Sequence, residues 1–85
     1  MGTRPRLKPA RLPAKLYAIR MHLALSQSEL VARINLDLSP ARICEYERGT
    51  REPNSLVLLR YSQIAGIHME VLIDDRVDLP KKFAP

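Results

Sequence analysis

The chain has 85 residues, 46% of them hydrophobic, and carries a formal net charge of +5 with a pI near 9.9. This length suffices for one small domain, which buries only about 60% of its unfolded surface, so its stability should be modest. The charge favours nucleic acid as a partner, and no apolar run approaches the roughly 18 residues that would predict a membrane partner. A single cysteine excludes an internal disulfide, and the basic N-terminus lacks an apolar signal segment, so we expect a cytoplasmic protein.

Residues 1–12 are predicted to form a basic, extended arm. Residues 1–20 contain six basic residues and no acidic one, so the positive charge is concentrated at this end. Prolines and a lack of apolar periodicity indicate a segment without a core of its own. Two interpretations remain open: Arg4 and Arg6 follow DNA into an adjacent minor groove, or the arm is a solvated tail that adds non-specific electrostatic affinity.

The centre of the chain contains signals for two short helices joined by a turn. Ser26, with a glutamate at capping-box spacing, predicts a helix over residues 27–35. Ser39, followed by a proline at the first helical position, predicts a second helix over residues 40–48, and Gly49 suits the left-handed residue that ends it. Such a helix-turn-helix usually binds DNA by laying its second helix in the major groove.

Apolar residues at helical spacing predict three further helices, over residues 13–24, 55–65 and 69–73. The expected fold is therefore an all-α, compact five-helix domain over residues 13–73, followed by a C-terminal tail over residues 74–85. In the tail, Val77, Leu79 and Phe83 either mark a dimer surface or pack along the first and fifth helices of their own chain.

Two motifs carry a resemblance to a known family: Leu25-Ser26-Gln27-x-Glu29-Leu30 and Ser39-x-x-x-Ile43-x-x-Tyr46-Glu47-Arg48-Gly49-x-Arg51-x-Pro53. They resemble the lambda-repressor-like helix-turn-helix proteins, also described as Cro-type or XRE-type. The resemblance covers roughly residues 16–73 and implies sequence-specific binding of double-stranded DNA. The turn over residues 35–38 is about two residues longer than the usual turn of the family.

The exposed N-terminal residues of the second helix are the candidates for base contacts. Arg42 suits the O6 and N7 acceptors of guanine, and Glu45 suits the amino group of cytosine. Pro40 and Ala41 can pack on a thymine methyl group. The alternative for Arg42 and Glu45 is an ordinary surface ion pair at i, i+3 spacing.

Phosphate contacts are expected around this helix. The resemblance places the first turn of the preceding helix against a phosphate, in agreement with the partial positive charge of a helix N-terminus. Arginines at the end of the second helix need only reach and charge to bind the DNA backbone. The predicted phosphate contacts are Gln27, Ser39, Arg48, Thr50 and Arg51.

Arg20 lies on the apolar stripe of the first helix, where an unpaired guanidinium would be strongly destabilising. Glu47 lies on the inward face of the second motif helix, and in the resembling family the matching arginine and glutamate pair across the domain. We therefore predict a structural ion pair between Arg20 and Glu47.

The sequence predicts no enzyme and no cofactor. His22 and His68 lie in different elements, neither at metal-ligand spacing with Cys44, so no metal site is predicted. We expect a small transcriptional regulator, a repressor that occludes a promoter as a homodimer on a roughly palindromic operator. Two alternatives remain open: an antitoxin-type regulator with a toxin or co-regulator as second protein, and a protein-interaction adaptor that uses the same helices.

Overall fold

The structure, a computed structural model, describes residues 9–83 and contains within that range five α-helices and no strand. The helices are α1 (Leu12–His22), α2 (Gln27–Ile34), α3 (Pro40–Arg48), α4 (Ser55–Ala65) and α5 (Met69–Ile73). The predicted all-α, five-helix fold is confirmed, and α3, α4 and α5 have the predicted bounds. In this described part of the chain no helix is long and apolar enough to cross a membrane.

Side-chain caps fix the starts of α2, α3 and α4. Ser26 Oγ accepts a hydrogen bond from the Glu29 N–H at 3.0 Å, and the Glu29 carboxylate accepts one from the Ser26 N–H at 2.8 Å. The capping box is therefore present. Ser39 and Asn54 accept bonds from the N–H groups three residues on. Each cap satisfies a donor that the helix itself leaves unpaired, so these three starts are determined locally.

Helix α1 differs from its predicted bounds at both ends. It begins one residue earlier, at Leu12, and ends two residues earlier, at His22. The Leu25 N–H donates to the Arg20 carbonyl at 3.1 Å, while Ala24 adopts a left-handed conformation with φ of 56°. Glycine usually occupies this position at a helix end. An alanine there carries no stop signal, so apolar periodicity alone extends the helix too far.

The core lies where all five helices meet. Helix α1 packs against α3 and α5, α2 packs against α3 and α4, and α4 packs against α5. Burial of each large apolar side chain contributes roughly 1.5–3 kcal/mol. The buried side chains therefore hold α2 and α3 against α1, α4 and α5. The fully buried residues include Leu16, Ile19, Leu30, Ile34, Ile43, Tyr61 and Leu72.

The segment after α5 folds back over α1 and is held by Lys15. This side chain is buried, with 3% of the residue exposed. Its Nζ donates to the carbonyl oxygens of Val71, Asp74 and Val77 at 2.7, 2.9 and 2.7 Å. Burial lowers the pKa of the Lys15 ammonium from its ordinary value. A lysine that the sequence analysis counted only as basic charge thus ties the tail to the first helix.

Asp75 caps the start of α1 from the other end of the chain. Its carboxylate oxygens accept hydrogen bonds from the N–H groups of Ala10 and Arg11, both at 2.9 Å. The Arg11 guanidinium returns a bond to the Asp75 carbonyl at 2.8 Å and pairs with Asp78 at 2.6 Å. Arg11, the residue that precedes α1, forms no side-chain cap itself. The last residues of the predicted arm therefore contact the first residues of the predicted tail.

Apolar tail residues pack on their own chain. Leu79 and Phe83 are partly buried against the core, and the Phe83 ring lies 4.1 Å from the His22 ring, centroid to centroid. Val77 is 36% exposed. Of the two interpretations left open by the sequence, intramolecular packing is the arrangement that Leu79 and Phe83 adopt.

Candidate nucleic-acid interface

Helix α3 turns one side to the core and the opposite side to solvent. Ile43 and Tyr46 are buried, which orients the helix about its axis. With 3.6 residues per turn, Ala41 and Glu45 then point away from the core. The four residues predicted to contact bases lie on this outer side or at its edges: Pro40 and Ala41 are exposed, and Arg42 and Glu45 are partly exposed.

A cluster of three charged side chains, Arg42, Glu45 and Arg51, lies on this side of α3. Arg42 Nε is 3.1 Å from Glu45 Oε1, and Arg51 Nε is 3.5 Å from the same oxygen. The ion pair considered as an alternative for Arg42 and Glu45 is therefore formed in the structure. Arg42 and Arg51 both keep further donor groups when they contact Glu45, because a guanidinium carries five N–H donors.

The end of α3 brings Arg51 back to this cluster. Gly49 has a φ of 78°, and the Thr50 N–H then donates to the Glu45 carbonyl at 3.0 Å. The Thr50 hydroxyl donates to the same carbonyl at 3.3 Å. A Cβ atom on Gly49 would lie 3.2 Å from Cγ of Pro13, so the turn also fits closely against α1. Thr50 and Arg51 are thus positioned by the backbone of the helix end.

The remaining predicted phosphate contacts occupy both helix starts and the end of α3. Ser39 is exposed, but its hydroxyl already accepts the Arg42 N–H at 3.2 Å as a helix cap. Arg48 is exposed on the last turn of α3. Gln27 is partly buried at the first turn of α2, with Nε2 3.5 Å from Glu47 Oε1. Gln27 therefore joins the start of α2 to the inner face of α3.

Arg20 and Glu47 form a bidentate ion pair beneath this surface. Arg20 Nε donates to Glu47 Oε2 at 2.7 Å, and Nη2 donates to Oε1 at 3.0 Å. The third nitrogen, Nη1, donates to the Leu25 carbonyl at 3.0 Å. Only 12% and 6% of the two side chains are exposed, and the hydrogen bonding of Arg20 to the Glu47 carboxylate raises the pKa of Arg20. This network joins α1, the loop before α2, and α3, so it fixes the relative position of the motif helices.

The sequence predicts the residues that lie on this surface but misses one contact between them. The contact of Arg51 with Glu45 joins the loop to the helix, and it was not expected. The signal was present in Gly49, because a left-handed glycine at a helix end returns the following residues to the last turn. Arg4 and Arg6, assigned to the arm, lie outside the described residues.

Comparison with known proteins gives matches of two kinds. A family model described as helix-turn-helix matches residues 16–72. The chain is also similar in structure to the P22 c2 repressor protein, crystallised in complex with synthetic operator 9T in the presence of Tl+. That similarity has a TM-score of 0.67 and 25% sequence identity, and covers 75% of this chain and 94% of the repressor chain. No curated protein matches.

Proposed function

Because the chain belongs to the lambda-repressor-like, XRE-type helix-turn-helix family, we propose that it binds double-stranded DNA sequence-specifically with α3 in the major groove. The observation that carries this proposal is the outer side of α3, where exposed and partly exposed residues lie beside arginines while the opposite side is buried. The similar P22 c2 repressor was crystallised with operator DNA, which supports the same class of partner.

Base recognition is assigned to the first turns of α3. Arg42 donates to O6 and N7 of a guanine, and Pro40 and Ala41 pack against a thymine methyl group. Glu45 lies next along the same side, where its carboxylate has two alternative roles: it accepts from a cytosine amino group, or it accepts from the arginines beside it. Each good bidentate pair supplies about 1–3 kcal/mol of discrimination against the wrong base.

Backbone contacts fix the position of α3 in the groove. Arg48, Thr50 and Arg51 bind phosphates at the end of α3, and Ser39 binds one at its start. Gln27 and the free N–H groups of the first turn of α2 bind a further phosphate, favoured by the dipole of that helix. These contacts supply affinity without sequence preference.

The regulatory role we propose is repression. Two copies of the chain, as a homodimer, would occupy half-sites about one helical turn apart and exclude polymerase from the promoter. The support is the likeness in structure to a repressor that was crystallised with its operator. A symmetric motif recovered from random DNA would agree with this arrangement, and a single half-site would contradict it.

Selection of bound sequences from a random duplex pool tests the proposal directly. We expect a defined motif, and affinity that falls steeply as salt rises, because the phosphate contacts release counterions.

Arg42→Ala should cost about 1–3 kcal/mol and relax the preference at one base pair. Arg51→Ala should weaken binding to all sequences alike and reduce the salt slope by about one. A lack of binding to any duplex at low salt would reject DNA binding and favour the adaptor interpretation.

A further inference from the structure

Glu45 is an unusual residue for a surface that approaches a polyanion. A carboxylate near phosphates is repelled unless cations neutralise it. In this structure two cations do so, because Arg42 and Arg51 approach the same Glu45 oxygen at 3.1 and 3.5 Å. The cluster therefore matches one acid with two bases.

The backbone assembles this cluster. Arg42 and Glu45 are one helical turn apart on α3, so their side chains meet on the same side of the helix. Gly49 ends the helix, and the two hydrogen bonds from Thr50 to the Glu45 carbonyl hold the returning chain at that turn. Arg51 follows directly. The arrangement thus depends on the helix end and not only on the rotamers of three exposed side chains.

The atoms involved matter for recognition. Both arginines approach Glu45 most closely through Nε, the nitrogen nearest the aliphatic stem. The nitrogens that bind guanine O6 and N7 are the terminal ones, and they are not the atoms of closest approach. Arg42 can therefore keep its contact with Glu45 while its terminal nitrogens bind a base.

We propose that Glu45 is a specificity-determining positioning residue, which holds Arg42 for a guanine and Arg51 for the adjacent backbone. This inference rests on the DNA-binding function proposed above. On the correct site both arginines remain beside Glu45 as they bind. On another sequence, Arg42 must turn to a phosphate, and Glu45 then faces the DNA with one of its two cations withdrawn. Incorrect complexes are penalised more than the correct one.

Folding depends little on the cluster. The three side chains are 39%, 42% and 51% exposed, and ion pairs at such positions contribute little to stability. Glu45→Gln should therefore fold normally, and its melting temperature verifies this. Glu70→Gln is a matched control, because it removes the same charge from the exposed surface of α5, away from α3.

The test compares binding of the full chain to its selected site and to a scrambled duplex over a range of salt concentrations. We expect Glu45→Gln to bind the scrambled duplex about tenfold more tightly, to lose about tenfold in the ratio of the two affinities, and to steepen the salt slope. Glu70→Gln should change the affinity ratio by less than about twofold. An unchanged ratio for Glu45→Gln would overturn the inference.

A double-mutant cycle separates positioning from direct reading of a base. If Glu45 acts through Arg42, Glu45→Gln has no further effect on base preference in an Arg42→Ala background. If it instead relaxes preference at a base pair of its own in that background, Glu45 reads cytosine directly and the inference is overturned. A wild-type chain that selects no motif rejects the proposed function and this inference with it. A wild-type motif with an unchanged Glu45→Gln ratio rejects this inference alone.

Discussion

Ala24 carries a conformational cost that other helix ends in residues 9–83 avoid. Positive φ angles occur at Ala24, Asn35, Gly49 and Gly66. Glycine adopts this conformation freely and asparagine tolerates it, whereas the Cβ of alanine meets the following carbonyl. The position ends α1 and leads through Leu25 into the first motif helix. The strain is therefore located in the connection between α1 and α2.

Ala24→Gly is expected to increase the free energy of unfolding by about 0.5–1 kcal/mol, because relief of the strained φ exceeds the entropy that glycine adds to the unfolded chain. Urea denaturation followed by circular dichroism measures the change. The control is Ala32→Gly, an exposed position within α2, where the same replacement should destabilise by about 1 kcal/mol. A loss of stability in both variants would contradict this account.

Residues that combine a local signal with a position on a helix face were predictable. Arg20 and Glu47 both fall on apolar faces, so their pairing follows from the cost of leaving either charge alone in the core. Gly49 and Gly66 are recognisable helix ends because the residue type itself indicates φ > 0. Ala24 was not predictable, since its conformation is imposed by the surrounding helices and contradicts its own preference.

At the scale of elements, α1 is held at its start, and along its length, by residues some 60 positions later in the chain. Lys15 supplies one buried ammonium to three carbonyl groups, one within α5 and two in the segment that follows it. Periodicity predicted the two helices separately, because each has its own apolar spacing. It gave no information on this link, since a lysine and backbone carbonyls have no distinctive sequence pattern.

Lys15→Met is expected to lower the free energy of unfolding by about 1–3 kcal/mol, because the carbonyl oxygens of Val71, Asp74 and Val77 lose their shared donor. Hydrogen exchange should also show faster opening of α5 and the tail. Lys81→Met removes the same charge from an exposed tail position and should have little effect. Equal stability of both variants and wild type would show that water replaces the ammonium without cost.

Because Asp75 caps α1 with an ionised carboxylate, we predict that the free energy of unfolding depends on pH. Hydrogen bonds from the N–H groups of Arg11 and Ala10 lower the pKa of the Asp75 carboxyl below its ordinary value of 3.8. The folded state thus favours the ionised form. The stabilisation is complete above a pH of about 4 and is lost as the pH falls through the lowered pKa. Asp75→Asn should be less stable than wild type at neutral pH and should lose less stability on acidification.

Thermal unfolding midpoints of Asp75→Asn and wild type between pH 7 and about pH 2 test this prediction. The curves should converge at low pH, because protonation of the wild-type carboxyl removes the same interaction. Asp37→Asn, in the exposed connection between α2 and α3, serves as the control for loss of a carboxylate elsewhere. Parallel curves for Asp75→Asn and wild type would mean that Asp75 does not cap α1 in solution.

On the scale of the whole molecule, the N-terminal concentration of positive charge and helix α3 lie in different parts of the chain. Residues 1–8 contribute +3 of the net charge of +5, which leaves only +2 for residues 9–85. On α3, one carboxylate partly neutralises the arginines. If the chain binds DNA as proposed, non-specific affinity should come largely from the arm and base preference from α3. The contacts of Ala10 and Arg11 with Asp75 hold the start of α1.

Deletion of residues 1–8 should weaken binding to every duplex and reduce the salt slope by up to about three, because each arm cation that neutralises a phosphate contributes about 0.9 to that slope. Thermal stability should be unchanged. Removal of Lys81 and Lys82, two exposed cations of the tail, should reduce the slope less if the arm lies closer to DNA.

The double variant Arg4→Ala and Arg6→Ala then distinguishes the two interpretations of the arm. A loss of preference for A·T pairs beside the motif indicates minor-groove insertion, whereas a uniform loss of affinity indicates a solvated tail, because the minor groove distinguishes A·T from G·C.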